Sequence, residues 1–103
     1  MCGIAGIINF TGHSPAESLL TQMTDVIEHR GPDGSGVYIS DGVAFGHRRL
    51  SIIDLAGGHQ PMTTPDDRVT ITYNGEIYNF PELREELKAL GYQFKTSSDT
   101  EVI

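Results

Sequence analysis

The sequence holds one cysteine, no tryptophan, and 7 Lys and Arg against 14 Asp and Glu. Each scarcity excludes something. A single cysteine can neither close an internal disulfide nor complete a zinc finger, which argues against a secreted disulfide scaffold and for a reducing compartment, the cytosol. A net charge of −7 disfavours nucleic acid and an anionic membrane surface, since both demand clustered positive charge. No apolar run approaches the roughly 18 residues that a membrane span needs. The apolar opening, residues 1–10, has no Lys or Arg ahead of it, no small-residue cleavage site behind it and a break at Asn9, so it does not read as an export signal. His13, His29, His47 and His59 lack the spacing of zinc ligands. Residues 31–36 are glycine-rich but lack the lysine of a phosphate-binding loop. No internal repeat or low-complexity tract is present.

What is present is glycine, 12 in 103 residues, which predicts tight turns and close backbone approaches. The length is that of one small domain. Residues 4–10 have the length of a buried strand. Ser14-Pro15-Ala16-Glu17 reads as a capping box with proline at the first helical position. Leu19, Leu20, Met23, Val26 and Ile27 follow at helical spacing, predicting a helix over 15–29 that the Gly and Pro of 31–36 terminate. Residues 36–40 and 43–50 read as strands joined at Asp41-Gly42, a strong hairpin signal. Residues 51–55 form a further apolar stretch, and 59–68 a loop. Residues 69–73 alternate as a strand, and Asn74-Gly75 suggests a second hairpin with a return strand over 76–78. Asn79 and Glu82 predict the cap of a second helix, with Leu83, Leu87 and Leu90 as its apolar stripe and Gly91 as its stop. Residues 92–96 are a last strand candidate. This order has too little helix between the middle strands for a doubly wound parallel sheet. It predicts an α+β domain, an antiparallel sheet with helices against one face.

Four places could carry chemistry. Removal of Met1 would give Cys2 a free α-amine. Reference pKa values of about 7.7–8.0 for such an amine and about 8.5 for a thiol allow proton transfer between them near neutral pH. One residue would then supply both nucleophile and base. On position alone, however, a second-position cysteine at the start of a buried strand is the more common reading. Asn74-Gly75 serves either as a turn or as an oxyanion hole, a side-chain amide followed by an unhindered backbone N–H. Glu76 beside it adds a carboxylate suited to an ammonium group. His47-Arg48-Arg49 is a basic cluster in an acidic chain: a solvated strand face, or a clamp for a substrate carboxylate through paired hydrogen bonds. Strand geometry points Arg48 and Arg49 to opposite faces, so at most one reaches a given pocket. Asp99 and Glu101, taken alone, read as surface.

Together these segments resemble a known family. Met1-Cys2-Gly3-Ile4-Ala5-Gly6-Ile7 is similar to the start of the class II glutamine amidotransferases, whose nucleophile is an N-terminal cysteine. The internal segments narrow the resemblance to the glutaminase domain of glutamine-hydrolysing asparagine synthetases. These are His29-Arg30-Gly31-Pro32-Asp33-Gly34, Gly46-His47-Arg48-Arg49-Leu50-Ser51-Ile52-Ile53-Asp54-Leu55, Gln60-Pro61-Met62, Tyr73-Asn74-Gly75-Glu76-Ile77-Tyr78-Asn79 and Ser98-Asp99-Thr100-Glu101-Val102. They run in order through nearly the whole chain.

The resemblance implies that Cys2 attacks the side-chain amide of glutamine, with its own α-amine taking the thiol proton. It assigns the oxyanion hole to Asn74 and the N–H of Gly75, the α-carboxylate to Arg49, and the α-ammonium to Glu76 and Asp99. Arg30 and Asp33 would shape the pocket loop. The implied fold is the N-terminal-nucleophile hydrolase αββα sandwich, of which residues 1–103 would be the front part, a partial type-2 glutamine amidotransferase domain. The implied partner is an ATP-using synthetase domain outside this sequence, which would take ATP and magnesium and convert aspartate to asparagine; no cofactor is expected in residues 1–103 themselves. The resemblance also allows a homodimer. Two other readings stay open: the same module feeding a different ammonia acceptor, and an unprocessed or truncated module that binds glutamine or a partner without turnover. A chain of these residues alone is expected to fold poorly, because strands built to pair with absent neighbours would expose edges.

Overall fold

The central element is β3 (Val43–Arg49), flanked on one side by β1 (Gly3–Ile8) and on the other by β2 (Gly34–Ser40). Both pairings are antiparallel. In the computed structural model, which describes residues 1–52 and 54–103, these three strands form the larger of two sheets. Ile53, within the expected apolar stretch 51–55, lies outside the described residues. The β2–β3 hairpin turns at Asp41 and Gly42, as its sequence predicts. Gly42 takes φ +76°, a left-handed conformation that glycine adopts without a Cβ penalty.

Alternation along β3 gives its two faces different tasks. Ala44, Gly46 and Arg48 face helix α1 (Glu17–Val26). A Cβ on Gly46 would overlap the Thr24 methyl group and press on Leu20, so the absent side chain is what lets the helix seat. Leu20 and Ala44 are fully buried between the two elements. Arg48 fastens the same face: its Nε donates to the Thr24 carbonyl at 3.1 Å and its guanidinium pairs with Asp25. On the opposite face lie Phe45, stacked against its cross-strand partner Tyr38 at 6.2 Å between ring centroids, then His47 and Arg49.

Helix α1 is shorter than the periodicity predicts and is followed by a 3-10 turn at Glu28–Arg30. The expected capping box does not form. The N-cap is Ala16, without a side-chain cap, and the Ser14 hydroxyl donates instead to the Asp41 carboxylate at 3.4 Å.

The second sheet pairs β4 (Met62–Thr63), inside the expected loop, with β5 (Thr70–Ile71), so the predicted strand over 69–73 is reduced to its middle. No hairpin follows at Asn74-Gly75. The Tyr73 N–H goes to the Gln60 side chain at 2.6 Å and the Ile77 N–H to the Asp99 carboxylate at 2.9 Å. With those donors occupied by side chains, the return strand over 76–78 is not built. The same competition removes the strand expected over 92–96, because the Lys95 and Thr96 N–H groups donate to the Glu101 carboxylate at 2.7 and 2.8 Å.

Helix α2 (Phe80–Ala89) has Pro81 in its first turn, Asn79 as an N-cap without a side-chain hydrogen bond, and Gly91 at φ +96° just beyond its end. It packs against the 3-10 turn Asp99–Val102. Only α1 therefore lies on the three-stranded sheet, where the sequence suggested both helices. The result is a small mixed domain of helices and antiparallel strands.

Candidate active site

A cleft of about 300 Å³ lies where the start of β1 and the end of β3 meet two irregular segments, 73–76 and 98–100. Cys2, Arg49, Asn74, Gly75, Glu76 and Asp99 all line it. Residues spread over 98 positions of sequence thus share one cavity, and the sheet register explains the first pair. Gly3 stands opposite Arg48 on β3, which brings Cys2 beside Arg49 and Leu50.

Cys2 is held at both ends. Its Sγ accepts from the Leu50 N–H at 3.3 Å and lies 3.7 Å from the Leu50 carbonyl oxygen, while its own carbonyl accepts from Arg30 Nε at 3.1 Å. The loop carrying Arg30 is pressed tightly to the end of β3. A Cβ on Gly31 would overlap the Arg48 and Arg49 backbone. The Asp33 N–H donates to the Arg49 carbonyl at 2.9 Å, and the Asp33 carboxylate accepts from the Ser51 N–H at 2.8 Å.

Arg49, and not Arg48, reaches the cleft. It is 9% exposed, and its guanidinium donates to the carbonyl oxygens of Asp54 and Leu55. Gly58, at φ +64°, leaves room for it: a Cβ there would sit 3.0 Å from Arg49 Nη2 and 3.1 Å from Ser98 Cβ. Asn74 is half-buried; Gly75 and Glu76 are exposed at the rim. The Tyr73 ring lies against Gly75, occupying the space any Cβ would take. Asp99 is 6% exposed, and its Oδ2 accepts the Ile77 N–H.

Several residues that support this cavity carry no separate signal in the sequence. Gln60 links the Tyr73 N–H to the Thr100 hydroxyl through the two atoms of its amide. Arg84 on α2 donates to the Thr96 and Ser98 carbonyls at 2.6 and 3.1 Å, and lies 4.6 Å over the Phe94 ring. Its partners are mostly backbone oxygens, which no residue type announces. Burial opposes ionisation at Glu101, but the Thr96 hydroxyl, the Lys95 and Thr96 N–H groups and the Arg84 charge outweigh it and hold its carboxyl below the usual range. Glu101 is therefore a turn brace and not a surface group. Asp54 is held low by the N–H groups of Ser97 and Gly57, which its two oxygens accept at 2.7 and 2.8 Å.

His47 lies next to Arg49 in β3 and is 1% exposed. Burial, with the Arg49 charge, lowers its pKa from 6.5 to about 4, so the imidazole is neutral at pH 7. Its Nδ1 meets the Thr72 hydroxyl at 3.0 Å, and among the described residues its Nε2 has no partner. Among the described residues, no group of three or more His, Cys, Asp and Glu could hold a metal ion. The cleft brings a thiol, a side-chain amide beside a backbone N–H, a guanidinium and two carboxylates to one cavity. Such a set can add a nucleophile to a carbonyl while fixing the charged head of an amino acid.

A family model for the glutamine amidotransferase domain matches residues 1–103. The chain belongs to that family. Among glutamine amidotransferase-containing relatives, asparagine synthetase (glutamine-hydrolysing) 1 of Bacillus subtilis is 50% identical over the whole of this chain. Asparagine synthetase (glutamine-hydrolysing) 3 of Arabidopsis thaliana is 41% identical, and the probable asparagine synthetase of Dictyostelium discoideum 42%, again over the whole chain. The chain spans 17%, 18% and 19% of the lengths of these three relatives. Within this glutamine amidotransferase domain, then, Cys2, Arg49, Asn74, Gly75, Glu76 and Asp99 line a single cleft, while His47, Arg48 and Glu101 do not.

Proposed function

We propose that the cleft hydrolyses the side-chain amide of glutamine to glutamate and ammonia. In the complete protein the ammonia would pass to an ATP-using domain that amidates aspartate to asparagine. The observation that carries the reading is the convergence of Cys2, Asn74, Gly75, Arg49, Glu76 and Asp99 on one cavity in a chain of this family.

Removal of Met1, itself a cleft residue, frees the Cys2 α-amine. That amine takes the thiol proton, and the thiolate attacks the amide carbon. The oxygen that becomes negative is met by the Asn74 side-chain N–H and the Gly75 backbone N–H, which favour the charged intermediate over the neutral carbonyl. Collapse breaks the C–N bond. The departing nitrogen receives the proton held by the amine and leaves as ammonia, and a glutamyl thioester remains on Cys2. Water, deprotonated by the same amine, cleaves the thioester; glutamate leaves and the thiol is restored. Arg49 holds the substrate carboxylate in paired hydrogen bonds, while Asp99 from within and Glu76 from the rim hold its ammonium. Three fixed charges at one end and two donors at the other orient the amide for attack.

Residues 1–103 would form the front part of a type-2 glutamine amidotransferase domain of the αββα N-terminal-nucleophile class, working in the cytosol. By the resemblance to asparagine synthetases, ATP and magnesium would be handled by the synthetase domain and not by this cleft. The deciding experiment is an ammonia-release assay with glutamine, using the Met1-processed full-length protein beside its Cys2→Ala variant. Release by the first and not the second is expected; equal release would overturn Cys2 as nucleophile.

A further inference from the structure

The two polar walls of the cleft rest on segments without strand pairing of their own: 73–76 on one side, and 98–100, the start of the short 3-10 turn Asp99–Val102 with its N-cap Ser98, on the other. Something must set the distance between them. Gln60 is placed to do so. Its Oε1 accepts from the Tyr73 N–H at 2.6 Å, one residue before Asn74, and its Nε2 donates to the Thr100 hydroxyl at 3.1 Å, one residue after Asp99. Both polar atoms of the amide are engaged, and the backbone donor at Tyr73 fixes which of them is oxygen. Gln60 is itself fixed from behind, because Gly36 on β2 lies so close that any Cβ there would overlap the Gln60 carbonyl oxygen. Gln60 also lines the cleft.

We infer that Gln60 is a positioning residue that, together with the bond from the Ile77 N–H to Asp99, sets the spacing between the Asn74–Gly75 donors and Asp99, and so selects the length of the amino acid accepted. The inference rests on the proposed glutaminase activity. A glutamine spans both walls at once, with its head at Asp99 and Arg49 and its amide at Asn74, Gly75 and Cys2. An amino-acid amide one methylene shorter reaches only one wall while the spacing is held. Loosening the Gln60 bridge lets the walls approach and relaxes that distinction. One methylene is worth about 10- to 200-fold in a well-fitted site, which bounds what the bridge can contribute.

The test compares kcat/KM for glutamine and for asparagine, one methylene shorter, in the Met1-processed full-length protein and in its Gln60→Leu, Thr100→Val and double variants. The unsubstituted chain should favour glutamine. Gln60→Leu should cut the glutamine-to-asparagine ratio by about 10-fold or more, and Thr100→Val should cut it in the same direction by less. The double variant should go no further than Gln60→Leu, since both remove the same bridge. A uniform loss on both amides, with the ratio unchanged, is what a merely structural role gives, and it overturns the inference. If Gln60→Leu loses its far-ultraviolet circular dichroism, Thr100→Val decides alone: an unchanged ratio overturns the inference. If the unsubstituted chain releases ammonia from neither amide, the glutaminase reading fails and this role fails with it; if it hydrolyses glutamine and the ratio does not move, only the role fails.

Discussion

The Ile77 backbone N–H donates to Asp99 Oδ2 at 2.9 Å, joining two residues 22 positions apart. That bond leaves the second carboxylate oxygen of Asp99 for the cleft and fixes the direction in which its charge points. It also ties the segment after Glu76 to the turn that carries Asp99, so both carboxylates of the proposed ammonium site belong to one connected unit.

Asp99→Asn keeps the size of the side chain and an oxygen that accepts from Ile77, while removing the charge. We expect KM for glutamine to rise about 10- to 100-fold with kcat within a few-fold of its original value, as for a lost charge-assisted contact. Steady-state ammonia release checks this. A fall in kcat with unchanged KM would place Asp99 in the chemical step instead.

Arg49→Lys retains the charge and loses the planar fork. Lysine cannot reproduce paired donation to a carboxylate while also satisfying the carbonyls of Asp54 and Leu55. A rise in KM of about 10-fold or more and a lower thermal midpoint are expected together. Normal KM for glutamine in Arg49→Lys would contradict the carboxylate assignment.

His47 gives the fold a pH dependence of known sign. Its pKa is about 4 in the folded chain against 6.5 as reference, so the unfolded chain binds the proton more readily. Stability is therefore full above pH 6.5 and declines as pH falls towards 4. Between pH 7 and 5 the loss should be about 2 kcal/mol. The carboxylates held low, Asp54, Asp66 and Glu101, add their own loss only below this window. Urea melts at pH 7, 6 and 5 should show the decline, and His47→Gln should flatten it.

Arg84 lies outside the cleft, yet it grips the irregular stretch leading to Asp99 at two carbonyls and one ring. Arg84→Met keeps length and apolar bulk but removes every donor. A stability loss of about 1–3 kcal/mol is expected from two unsatisfied carbonyls, with KM for glutamine rising more than kcat falls. Denaturant unfolding and steady-state kinetics report the two separately.

The legible part of this protein is what side-chain pattern dictates. The strand β1, the β2–β3 hairpin with Gly42, and the presence of helices α1 and α2 followed from periodicity and turn chemistry; of the expected apolar stripes Leu20 is buried, whereas Leu19, Val26 and Leu90 are exposed. So did the opposed directions of Arg48 and Arg49. The strand ends and strands that do not form at 73, 76–78 and 92–96 share one physical cause: their backbone donors are taken by side chains. Gln60 claims Tyr73, Asp99 claims Ile77, and Glu101 claims Lys95 and Thr96, and periodicity does not register such partners. Taken one at a time, Cys2, Asn74-Gly75 and Arg49 each have a commoner structural reading, and it is their joint resemblance to one family that singles them out as a site. That Asp99 belongs with them came from family resemblance, because nothing local distinguishes it from a surface acid.

The division of labour along β3 bears on how such a domain can change over generations. Insertion or deletion of a single residue near Asp41 and Gly42 would exchange the strand's faces. The neighbouring arginines would partly conceal the error, since each face would still present a guanidinium. The helix seat would not conceal it: Phe45 or His47 would arrive where Gly46 now admits Thr24 and Leu20. A change of length here would thus be caught by packing at Gly46 before it reached the cleft.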